Sequence, residues 1–164
     1  MKEIKLSQRC KKSKNNHLSA LVDDADFEYL NQWKWFAHKS PHGTYYAARN
    51  DSGKTIKMHR IILGLTDPNI LGDHKDGNSL NNQRSNLREC THSQNNRNCK
   101  KYKEGTSKYK GVHYHKKNDN FMARITDNGK TIYLGSFINE VDAGKAFNIA
   151  AQRIHGEFAN LNII

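Results

Sequence analysis

From Asn96 to Lys108 the chain reads NRNCKKYKEGTSK, a basic, polar tract nearly free of aliphatic side chains. Such a tract has almost nothing to bury, so no single core can run through it. It divides the chain into two small folded parts, 1–98 and 107–164, with 99–106 as a basic linker. Hydrophobic residues make up only 35 % of the chain, lean for one large core and adequate for two small ones. Lys and Arg total 27 against 16 acidic residues, a net charge of +11. That balance suits a nucleic acid or an anionic membrane surface. No apolar run approaches the roughly 18 residues that suggest a membrane span, and Met1 to Asn16 is too polar for a signal peptide. The expectation is a cytoplasmic protein with no membrane partner. Cys10, Cys90 and Cys99 form no C-x-x-C pair, so free thiols are expected rather than a zinc knuckle or disulfides.

The pattern before Lys57 is mostly β. LSALVDDADFEYL carries an acidic centre and a short helix from about Asp24. WKWFAHK and TYYAARN are aromatic and β-prone, with SPHG as a hairpin turn between them. NDSGK is a second turn leading to TIKMHR. These predict a three-stranded antiparallel sheet, followed by a short helix in HRIILGL. Trp33, Trp35, Tyr45 and Tyr46 are expected to form its small core, with Lys34, Lys39, Arg49, Lys54 and Lys57 as cations able to lean on DNA. From Ile70 to Asn98 the expectation is a short strand, a polar loop, a second strand in NLREC, and a helix through HSQNNRN with Thr91 as its N-cap.

The last third is more regular. KYKGVHYH, NFMARIT and KTIYLGSF read as strands separated by KKND and DNG turns. Asn139 caps a helix with Ala143, Ala146, Phe147, Ala150 and Ile154 on one face, and Gly156 ends it. Alternation puts Phe121, Ala123 and Ile125 on one side of the middle strand and Met122, Arg124 and Thr126 on the other. The helix covers the first side. The other carries His113, His115, Arg124, Thr126 and Tyr133, with Lys110 and Lys117 near the rim.

SKYKGVHYH, FMARI, YLGSF, EVDAGKAFNIAA and GEFANLN, spanning Ser107 to Asn162, together resemble an AP2 domain. The resemblance implies a three-stranded sheet laid in the major groove of double-stranded DNA, with Lys110, His113, His115, Arg124, Thr126 and Tyr133 towards it. Histidines stand where plant-type sheets use arginine, so the sequence preference should differ and the contacts should depend on pH.

Between these parts lies GDHKDGNSLNNQRSNLREC. Phosphodiester hydrolysis needs an activated water, a charge on the leaving oxygen, and a base held in orientation. Asp73 offers a hard ligand, His74 a base, Asn86 a side chain that can bond across the loop, and Asn95 an amide oxygen on the following helix. With HRIILGL before it and THSQNNRN after it, this stretch resembles the HNH endonucleases of phages and group I introns, over about His59 to Asn98. VDDADFEYLNQWKWFAHK resembles the segment that precedes the nuclease core in phage HNH proteins with AP2 domains. The resemblance implies a ββα-metal core in which Asp73 and Asn95 bind the cation, His74 is the general base and Asn86 orients loop and base. His92 sits one turn too early for the third place. Asn95 takes it, with Asn96 and Asn98 as weaker candidates. An all-oxygen donor set implies Mg2+, with Mn2+ possible.

The expected fold is therefore α+β: an N-terminal antiparallel sheet leading into the HNH core, a linker, and an AP2-like sheet on one helix. The expected function is site-specific DNA nicking by a homing-type endonuclease, monomeric on double-stranded DNA and working in the cytoplasm of a bacterial host if phage-encoded. Arg88 and Arg97 are added as DNA contacts. The alternative is a DNA-binding regulator that retains an inactive HNH fold.

Overall fold

The structure, a computed structural model, describes residues 1–7, 18–99, 101 and 105–164. Cys10, His17 and half of the tract expected as a linker, residues 100 and 102–104, lie outside the described residues. The fold is α+β, with small antiparallel sheets and four α-helices among the described residues. The chain forms two compact units, Met1–Thr91 and His92–Ile164.

In the first unit, β1 (Lys2–Lys5) pairs with β2 (Ser19–Val22). Sequence reading did not anticipate this pair. α1 (Asp24–Asn31) follows, starting at the acidic centre as expected. β3 (Phe36–Lys39), β4 (Tyr45–Asp51) and β5 (Lys54–Lys57) form the three-stranded sheet in chain order. α2 (Met58–Ile62) begins directly after β5. β6 (Leu71–His74) and β7 (Leu87–Cys90) pair antiparallel, with Asp73 opposite Arg88 and His74 opposite Leu87.

The core of this unit gathers Ile4, Leu6, Val22, Leu30, Trp35, Met58, Ile62 and Leu87. Trp35 donates its indole N–H to the Leu30 carbonyl at 2.8 Å, so its one polar atom is satisfied in the interior. Trp33 packs against this core. The two tyrosines expected with it do not share its position. They are neighbours on β4, so alternation sends them to opposite faces. Tyr45 is exposed, while Tyr46 points to His59 and His74.

The acidic centre has a structural role. The Arg84 guanidinium meets both carboxylate oxygens of Asp26, at 2.8 and 2.7 Å, and its backbone N–H donates to Asp23 at 2.8 Å. Leu21 N donates to Leu80 O and Asn82 N to Leu21 O, each at 2.8 Å. The β6–β7 loop is therefore sewn to β2 and α1, which fixes it from the N-terminal side.

In the second unit, α3 (His92–Asn98) is followed by β8 (Val112–His115), β9 (Asn120–Asp127) and β10 (Lys130–Phe137). β9 is the central strand. A bulge between Tyr133 and Gly135 shifts the β10 register. α4 (Glu140–His155) lies on one face of the sheet. Its N-cap Asn139 accepts from Val141 N at 2.8 Å and Gly156 ends it. Ala143, Phe147 and Ala151 are buried against Tyr109, Val112, Ala123 and Ile125. His155 is buried too, and its Nε2 donates to Thr126 O at 3.0 Å.

The final Asn-Leu-Asn closes this unit. Asn162 accepts from Lys110 N at 2.6 Å and donates to Lys110 O at 3.1 Å, while exchanging bonds with Asn148.

Candidate active site

The loop between β6 and β7 is rich in Asn because its backbone must be satisfied without a regular ladder. Asp76 is its hub. One carboxylate oxygen accepts from Asn78 N at 2.8 Å and from Asn86 Nδ2 at 3.0 Å. The other accepts from Asn81 Nδ2 at 2.8 Å. Burial pushes the Asp76 carboxyl up, but these hydrogen bonds outweigh it and hold the group below its ordinary range. Asn86 bonds in three directions: it accepts from Asp76 N at 3.0 Å and donates to Asp76 Oδ1 and to Asn81 O. Asn86→Ala should leave the Asp76 N–H without its acceptor and cost about 2 kcal/mol of unfolding free energy. A urea melt followed by tryptophan fluorescence measures this.

Asp73 and His74, consecutive on β6, diverge. Asp73 is only 6 % exposed and receives Arg88 Nε at 2.9 Å and Nη2 at 2.7 Å on Oδ2. His74 is 5 % exposed, and its Nε2 lies 3.4 Å from Asn82 Oδ1. Asn82 Nδ2 donates to Leu80 O, which sets the amide so that its oxygen faces the imidazole. The His59 ring stands edge-on to His74, with centroids 5.0 Å apart, and Tyr46 lies 5.8 Å from His59 and 6.3 Å from His74. Gly72 makes this approach possible, because a Cβ there would fall 2.6 Å from His59 Cδ2.

Burial dominates the electrostatics. It pushes His59 down to about 3, with His74, Lys57 and Arg60 adding to the effect. His74 is also lowered, first by burial; Asn82, Asp73 and Asp76 act against this, and Lys57 acts with it. Both imidazoles are therefore neutral near pH 7.

Asn95 and Asn96 lie on α3, half-buried and exposed respectively, and Asn98 is buried there. α3 belongs to the second unit. Taken singly, the Asp73 carboxylate and the Asn95 amide oxygen are donors of the kind a hard cation takes. Cys90 offers no competing thiolate, because burial, then Asp73, push its thiol up to about 11. Among the described residues no three His, Cys, Asp or Glu side chains gather to hold a metal.

Arg88 and Arg97, expected at DNA, both have carboxylate partners: Arg88 on Asp73, and Arg97 on Asp127 at 2.6 Å. Lys110 also turns inward. Its ammonium donates to the carbonyls of Arg97 and Cys99, each at 2.6 Å, and burial lowers its pKa. The other expected contacts share the sheet face that α4 leaves uncovered. In register, His113 pairs with Met122, and Arg124 and Thr126 pair with Tyr133 and Thr131. Arg124, Thr126 and Tyr133 are exposed, His113 and His115 are half-buried, and Lys117 is exposed in the β8–β9 turn. Burial, then Arg124 and His115, lower the His113 pKa.

Sequence reasoning missed Tyr46, His59 and Asn82 as neighbours of His74. The loop asparagines gave no sign of which one would face His74. His59, at the start of the stretch that resembles the HNH endonucleases, reads from sequence as a packing residue or a phosphate contact; it is buried against His74.

No protein-family model matches the chain. It is 36 % identical over 150 residues to an uncharacterized HNH endonuclease of Acanthamoeba polyphaga mimivirus, a match covering 88 % of this chain and 75 % of that relative.

Proposed function

Because the chain belongs to the HNH endonuclease family, we propose that it is a site-specific, homing-type DNA endonuclease in which His74 is the general base. The supporting observation is the buried His74 imidazole, neutral and held between Asn82 and His59. Asn82 presents an acceptor to Nε2, so Nε2 carries the proton and Nδ1 is the basic nitrogen. Nδ1 takes the proton of the attacking water. Asn86 keeps the loop closed around Asp76 and so keeps the end of β6 in place. Asp73, with Asn95 as the second oxygen ligand, would hold a Mg2+ or Mn2+ ion, whose charge serves the leaving oxygen.

The uncovered face of β8–β10 is the reading surface for double-stranded DNA, through Arg124, Thr126, Tyr133, His113 and His115 in the manner of an AP2 sheet. With one His74 per chain, a monomer nicks one strand.

Incubating the protein with a supercoiled plasmid library of random sequence, with Mg2+, Mn2+ or EDTA, tests this. Metal-dependent nicks at a recurring sequence are expected. Absence of nicking in every condition would sink the nuclease reading, and nicks at random positions would remove the role of the sheet. The Asp73–Arg88 ion pair favours one second reading, a DNA-binding regulator with an inactive HNH fold, because a guanidinium already stands on the expected ligand. That reading predicts binding without nicking in the same assay.

A further inference from the structure

The cations of the first unit near His74 nearly all have oxygen partners. Arg60 donates to the carbonyls of Ile70 and Asp67 at 2.8 and 2.7 Å, and Lys75 donates to Ser85 O at 2.8 Å. Arg84 is on Asp26 and Arg88 on Asp73. Lys57 differs. It is half-buried at the end of β5, and its ammonium lies 4.4 Å from the centroid of the Tyr46 ring. Tyr46 in turn faces both His59 and His74.

Register explains the placement. Lys57 pairs with Ala48, and Tyr46 is two residues before Ala48 on β4, so both side chains leave the sheet on one face. No carboxylate bond or ion pair to Lys57 occurs among the described residues. Its neighbours are a π face, two neutral imidazoles and the repelling Arg60.

A half-buried cation without an anion costs stability, since its desolvation is only partly offset by the ring beneath it. Burial, then Arg60, lower its pKa accordingly. Such a group makes sense where the site receives a negative charge with its ligand. We propose that Lys57 binds the scissile phosphate, its ammonium donating to a non-bridging oxygen of the phosphodiester that His74 faces. This rests on the nuclease reading. It gives the N-terminal sheet a direct part in the site: β4 supplies the Tyr46 platform and β5 the cation.

The ammonium would stabilise charge that grows on the phosphate in the transition state, so its loss should act on rate more than on DNA affinity. Lys57→Gln should slow single-turnover nicking roughly 100-fold and change DNA affinity little. Lys57→Arg should recover most of that rate. The melting temperature of Lys57→Gln should equal or exceed that of wild type, because a desolvated charge has been removed. Nicking by Lys57→Gln within about 2-fold of wild type would overturn the proposal. So would a Lys57→Gln protein that melts well below wild type while Lys57→Arg is no faster, which would make the cation structural.

If wild type nicks nothing, the nuclease reading fails by itself. Titration of the full chain with a random-sequence duplex then decides Lys57, read from the imidazole NMR signals of His59 and His74. They should move in wild type and stay still in Lys57→Gln. Equal movement in both proteins, or none in wild type, would overturn the phosphate role.

Discussion

His74→Ala is expected to slow metal-dependent nicking by about 1,000-fold, the middle of the range for loss of a general base. Binding of the same DNA should be unchanged, because the proposed reading face lies on β8–β10. The side chain is buried between Asn82 and His59, so its removal opens a pocket lined by two rings. Added imidazole should enter that pocket and restore part of the rate, which a merely misfolded protein would not show. His92→Ala is the matched control: His92 is exposed on α3 and should nick close to wild type. A His74→Ala protein that nicks as fast as wild type would remove the base assignment. The measurement is single-turnover conversion of supercoiled to open-circle plasmid, with and without imidazole.

Gly111→Ala should have the largest effect on folding. Gly111 has a φ of +75°, and a Cβ there would fall 2.0 Å from Phe147 Cδ2 and 2.7 Å from Arg124 O. Phe147 is a core residue of α4, and Gly111 O accepts from Arg124 N at 2.8 Å, so neither neighbour can retreat without breaking the sheet or the core. Left-handed strain and overpacking together should cost about 3 to 5 kcal/mol, comparable to the whole stability of a small domain. NMR should show loss of dispersed amide signals for β8–β10, and DNA affinity should fall with it. Gly129→Ala separates the two causes. Gly129 has a φ of +78° with open space around it, so only the backbone strain remains, about 1 kcal/mol. Equal damage from both substitutions would show that the Phe147 contact is not what forbids a side chain at Gly111.

Much of the element order was legible because it rests on local rules. The SPHG and NDSGK turns delimit β3 to β5, and Asn139 and Gly156 bracket α4. Alternation along β9 also sorted its two faces correctly, since one side of a strand is decided by its own sequence. The helix face was legible with a small shift: Ala151 and His155 are deeper than Ala150 and Ile154. The β1–β2 pair was not legible, because antiparallel pairing between distant segments depends on what else packs against them.

The candidate site divides along the same line. Asp73, His74 and Asn86 were named from their spacing and from family resemblance. Why the loop needs so many asparagines was also in the sequence, since an irregular backbone must find side-chain partners. What the sequence could not fix was the company each group keeps. Arg88 on Asp73, Arg97 on Asp127 and Lys110 on the Arg97 and Cys99 carbonyls are pairings that no local pattern names. Charge is a property of the residue, whereas its partner is a property of the fold. Likewise, β4, the end of β5, α2 and β6 meet at His74 only once the core around Trp35 and Met58 has closed. Sequence alone therefore determined which groups are able to do chemistry. Tertiary packing decided that Tyr46, Lys57 and His59 stand beside His74, because bringing the β4–β5–α2 run against β6 requires long-range contacts that no local pattern encodes.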